Sequence, residues 1–141
     1  MNTSSTPSVS PHEVLHPRHW KAASGYANGI AAEGRQIYIG GQVGWNAEQV
    51  FESDDLVEQI RQTLENIVTI LAEAGGRPEH LVRLTWYVKD KRHYLARLRE
   101  VGGAYRSVLG KHFPAMTMVQ VADLVEDEAQ IEIEATAVIP D

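Results

Sequence analysis

The side chains able to do chemistry in this chain fall into pairs. In Gln130-Ile131-Glu132-Ile133-Glu134-Ala135, apolar and acidic residues alternate. An extended backbone therefore puts Glu132 and Glu134 on one face and Ile131, Ile133 and Ala135 on the other. A carboxylate so placed can orient a water molecule and shuttle a proton, although paired acids on a strand are more often merely solvated. In Pro114-Ala115-Met116-Thr117-Met118 the two methionines also share a face. Side by side, two thioethers make an apolar, adaptable wall, in a core or along a ligand cleft. Tyr26 offers a phenol that can donate a hydrogen bond and pack against a ligand, and Trp20 lies close by in sequence.

Other chemistries find no support. The chain has no cysteine, which removes disulfides, thiol nucleophiles and zinc-thiolate sites. Metal binding needs converging ligands. Of the six histidines, His16 and His19 flank Pro17 in an irregular segment, and His80, His93 and His112 stand far apart near element ends. There is no G-x-S-x-G elbow, P-loop or dinucleotide fingerprint, so no metal and no cofactor is expected. The formal net charge of −6 argues against nucleic acid as the main partner, because phosphate binding needs clustered Lys and Arg. No apolar run approaches the roughly 18 residues of a membrane span. Residues 1–11 are polar and lack the apolar centre of a signal peptide. With the absence of cysteine, this fits a cytoplasmic protein.

The elements that must position these groups follow from spacing. The 141 residues suit one domain. Residues 1–19 read as a flexible tail and lead-in, and 20–141 as the domain. Residues 27–33 and 36–40 suggest a hairpin about Glu33-Gly34-Arg35, and 42–51 a loop with a short strand bent at Asn46 and Ala47. Ser53-Asp54-Asp55, with Glu58 beyond, offers a helix N-cap. Leu56, Ile60, Leu64, Ile67, Val68 and Leu71 recur at helical spacing, and Gly75-Gly76 ends the helix. Residues 81–88 alternate as a strand with Val82, Leu84, Trp86 and Val88 on one face. A second helix over 94–109 contains Gly102-Gly103, which cost about 1 kcal/mol each relative to alanine. Strands over 116–122 and 130–139 complete the order β-β-α-β-α-β-β. Helices between strands imply crossovers that cover one sheet face. The other face then needs a second copy to bury it.

Several motifs in this order resemble the RidA/YjgF family, also described as endoribonuclease L-PSP. Ser24-Gly25-Tyr26-Ala27-Asn28-Gly29 resembles its Gly-Pro-Tyr-x-x-Gly segment, Ile39-Gly40-Gly41-Gln42 its Ser-Gly-Gln turn, and Gln59-Ile60-Arg61-Gln62-Thr63-Leu64-Glu65-Asn66 its Q-x-R-Q-x-L-x-N helix opening. Val88-Lys89-Asp90 is similar to the end of its central strand, and residues 112–138 to its C-terminal signature. The resemblance implies an α+β sandwich of chorismate-mutase-like architecture, with two helices on one sheet face. It also implies a homotrimer with small-molecule clefts between subunits. Glu132 falls at the family's water-positioning glutamate, Tyr26 at its cleft tyrosine, and Gly41 at a glycine whose backbone contacts the ligand.

Three positions depart from that pattern. Met116 stands where the family carries the arginine that grips a substrate carboxylate, Gly40 where it often has serine, and Gly102 nearest its asparagine. A thioether cannot replace a guanidinium fork. The expectation is an enamine or imine deaminase releasing ammonia from a reactive intermediate other than the standard 2-aminoacrylate. Glu132 and Tyr26 are its candidate catalytic residues, and Gly41, Met116, Met118 and Trp20 its candidate ligand contacts. The alternatives are a non-catalytic metabolite-binding regulator and an endoribonuclease or translation inhibitor; net acidity weighs against the last.

Overall fold

The structure, a computed structural model, describes residues 10–141; the first part of the expected tail, residues 1–9, lies outside the described residues. The lead-in has structure of its own. Strand β1 (Glu13–Leu15) pairs antiparallel with β2 (Gly29–Ala31). The expected hairpin between 27–33 and 36–40 does not form, because β2 has β1 as its partner. At the turn between them Gly34 (φ 143°) lies against the Ile139 carbonyl, an approach that any Cβ would block. That contact sends β3 (Arg35–Gln42) into the main sheet beside the last strand.

Helix α1 (Leu56–Glu73) starts where Asp55 accepts the Glu58 amide at 3.0 Å and stops before Gly75 at φ 80°. Its apolar stripe of Ile60, Leu64, Ile67 and Leu71 is fully buried. Each such side chain contributes roughly 1.5–3 kcal/mol by leaving water. After a short 3₁₀ turn comes β4 (Leu81–Val88). The expected second helix is two, α2 (Lys91–Ala96) and α3 (Leu98–Leu109). Between them Arg97 leaves the helical region (φ −121°, ψ 23°). Its guanidinium reaches Asp55 at 3.0 Å and Glu100 at 2.7 Å, tying this corner to the cap of α1. Strands β5 (Ala115–Gln120) and β6 (Ile131–Ile139) follow. The short strand expected within 42–51 is absent: Asn46 instead organises a turn by accepting the Glu48 and Val50 amides.

The main sheet runs β3-β6-β4-β5. Strands β3 and β4 are each antiparallel to β6 and hence parallel to one another, with α1 as the crossover. Strands β4 and β5 are parallel, joined through α2 and α3. Leu84, Trp86, Val88, Ile131 and Ile133 are buried on the helix side. The opposite face carries Tyr38, Tyr87, Glu132, Glu134 and Val119, all exposed or half-buried, with Tyr38 73% exposed.

Candidate functional site

On β5, Met116 and Met118 lie opposite Leu84 and Trp86 of β4. Those partners face the helices, so the methionines do too, half-buried at the margin of the core. They line a cavity of about 650 Å³ beside α2 and α3. Three rings stack along it: Trp86 and Tyr105 with centroids 6.3 Å apart, then Tyr105 and Phe113 at 5.2 Å and nearly parallel. The buried Tyr105 hydroxyl donates to the His112 carbonyl at 2.6 Å, and burial pushes its pKa far up. Tyr105 is therefore structural. Tyr26 also lines the cavity and is 43% exposed. It comes beside Met116 for a local reason: the Ala27 amide donates to the Pro114 carbonyl at 3.0 Å, fastening the 24–27 segment to the start of β5.

One donor on this cavity escapes a reading of sequence. Arg106 of α3 lines it, one turn beyond Gly102. A Cβ on Gly102 would lie 3.1 Å from the Arg106 Nη1, so glycine leaves the guanidinium room to lie back along the helix. The i, i+4 spacing of the glycine and the arginine is the one signal available in the sequence. The Trp86 Nε1–H, by contrast, is buried out of reach of the cavity and has no hydrogen-bond partner among the described residues. A buried unpaired donor costs about 1–3 kcal/mol.

Glu132 lies elsewhere. Opposite Tyr87 in the ladder, it faces away from the helices, on the other side of the sheet from Met116. Its neighbour Glu134 accepts a short hydrogen bond from the Tyr87 hydroxyl, a bond that raises the Tyr87 pKa. Glu132 itself has no hydrogen-bond or ion-pair partner among the described residues. Its carboxylate rests against Gly41, where a Cβ would lie 2.9 Å from the carboxyl carbon and closer still to Oε2. The irregular register of β3 between Ile39 and Gln42 brings Gly41 there.

The expected residues thus form two groups, Met116, Met118 and Tyr26 on one side of the sheet and Glu132 with Gly41 on the other. Trp20 joins neither. The residue is 55% exposed, and its backbone is held by Pro17 and His16 in the 16–28 segment. Among the described residues no cluster of His, Asp and Glu is placed to hold a metal ion.

Residues 17–139 match the family model described as endoribonuclease L-PSP. The chain belongs to the RidA/YjgF family. It is 33% identical to a RutC family protein of Pasteurella multocida, over 89% of this chain and 97% of that one. It is likewise 33% identical to a 2-iminobutanoate/2-iminopropanoate deaminase of Salmonella typhimurium, over 80% and 86%. Among solved structures, the Rid family protein YyfB of Yersinia pestis, described as of unknown function, superposes with a TM-score of 0.81 at 32% identity, covering 91% of this chain and 98% of that one.

Part of the RidA/YjgF resemblance has a structural cause. In the Q-x-R-Q-x-L-x-N motif, buried Gln59 donates to the Ser53 and Glu128 carbonyls at 3.1 and 2.9 Å and accepts the Gln130 amide at 2.8 Å. Asn66 donates to the Val43 and Trp45 carbonyls at 3.0 and 2.8 Å. These amides clamp two loops onto α1, one of them leading directly into β6 and Glu132.

Proposed function

We propose that this RidA/YjgF protein hydrolyses an imine, or the imine tautomer of an enamine, at a site assembled between copies of the chain. One copy supplies the cavity of Met116, Met118 and Tyr26, and a neighbour supplies Glu132. Water adds to the imine carbon and forms the new C–O bond. The carboxylate takes a proton from that water and returns it to nitrogen, giving a carbinolamine. It then relays the remaining hydroxyl proton to nitrogen as the C–N bond breaks, so that ammonia leaves and a carbonyl remains. The observation that carries this reading is Glu132: an unpartnered carboxylate held against a glycine, on a sheet face no helix of its own chain covers. The similarity to a protein named as a 2-imino acid deaminase supports the reaction class. With methionine at position 116, the substrate differs from the smallest 2-imino acids.

A binding-only role has specific support as well, since Met116, Gly40 and Gly102 leave three polar contacts of the family pattern unfilled. One experiment separates the two. Ammonia release is followed with a panel of freshly generated imines, for the wild type and for Glu132→Gln. Release that disappears in the variant supports hydrolysis. No release above the spontaneous rate from any imine supports the binding role.

A further inference from the structure

We propose that Arg106 is the anion-binding residue of the cavity, and that its ligand is a small carboxylate with an aromatic or comparably flat apolar body. Arg106 is the one charged side chain that the described residues of a single copy bring to the cavity. Arg61, Arg77 and Arg97 are each engaged by an acid. Arg106 has neither an ion-pair nor a hydrogen-bond partner for its side chain among the described residues. A cation without an acid partner calls for a ligand that brings acceptors. A guanidinium fork matches the planar oxygens of a carboxylate through two parallel hydrogen bonds.

The rest of the wall defines the body. The Trp86, Tyr105 and Phe113 rings stack along it, and two thioethers on the strand beside Trp86 adapt to an apolar surface. A phosphate fits less well, because its second charge would meet apolar walls and a single cation. The carboxylate grip thus sits on helix α3 instead of on β5, and Gly102 is the residue that makes room for it.

This inference rests on the proposed cavity as the site, and not on hydrolysis, so its test measures binding without turnover. Calorimetric titration at neutral pH compares phenylpyruvate, its methyl ester and pyruvate, for the wild type, Arg106→Gln and Arg106→Lys. Phenylpyruvate should bind the wild type at least tenfold more tightly than either the ester or pyruvate. Arg106→Gln should lose that tenfold for the acid and leave the ester unchanged, with Arg106→Lys between. Circular dichroism verifies the fold; if Arg106→Gln disturbs it, the comparison of acid with ester on the wild type decides. Absence of phenylpyruvate binding, equal affinity for acid and ester, or unchanged binding by a folded Arg106→Gln would overturn the proposal. Binding that persists while no imine releases ammonia would sink only the hydrolytic reading.

Discussion

The carboxylate of Glu132 fills the space that a side chain on Gly41 would need. The two residues come from neighbouring strands, and the absence of a Cβ on one fixes where the acid of the other can rest. Gly41 is not in a left-handed conformation, so alanine fits its backbone. Gly41→Ala should therefore leave stability within about 0.5 kcal/mol and push the carboxylate aside. Ammonia release from an identified imine should fall tenfold or more, while the thermal midpoint stays put. Undiminished turnover would show that the resting place of the acid is immaterial.

Met116 faces the cavity from β5. An arginine there would add a carboxylate grip on the strand, each charge-assisted bond being worth about 1.5–3 kcal/mol. Wild-type turnover of 2-iminopropanoate should be low, and Met116→Arg should raise it at least tenfold. Steady-state rates on imine generated in place are the measurement, and a fast wild type would contradict the role given to position 116.

The exposed sheet face calls for cover. Tyr38 and Val119 on it are 73% and 42% exposed. Light scattering after size exclusion should give about three times the chain mass of 15.7 kDa. A monomer at micromolar concentration would separate the two halves of the proposed site.

Two buried histidines should set the acid limit of stability. His112 Nε2 donates to the Leu81 carbonyl at 2.8 Å, and the His80 Nδ1 accepts the Arg77 amide at 2.9 Å. Desolvation lowers both pKa values below the ordinary 6.5. The unfolded chain then binds protons that the folded chain refuses, so stability is full above pH 6.5 and declines as the pH falls through the lowered values. Asp55, lowered by its hydrogen bond from Arg97, acts only below its ordinary 3.8. Urea midpoints should therefore drop between pH 6.5 and 4.5, and His112→Gln should flatten that slope. A wild-type midpoint constant over this interval would contradict the assignment.

What the sequence made legible was local. The Asp55 cap, the 3.6-residue stripe of α1 and its glycine stop depend on near neighbours, and the structure has them where expected. The alternation of β6 is equally plain. Non-local choices were hidden. Nothing in Gly29–Ala31 says that it pairs backwards with β1. Val82 was expected beside Leu84, Trp86 and Val88, but a register shift between Leu81 and Arg83 buries Leu81 and leaves Val82 half-exposed. The place of Arg106 depends on how α3 packs on α1 beside the β5 methionines, which its own sequence position does not encode. Trp20 is close to Tyr26 in sequence, yet it does not line the cavity.

The sheet that stands between Met116 and Glu132 has a consequence for genetics. Each chain would hold halves of two different sites and never a whole one. A variant spoiled at Arg106 keeps a sound acid, and a variant spoiled at Glu132 keeps a sound cavity. Either alone would be silent. Unfolded together and reassembled, they would meet at a seam where the sound half of one faces the sound half of the other. Two dead proteins would then complement, and dilution to separated chains would silence the mixture again.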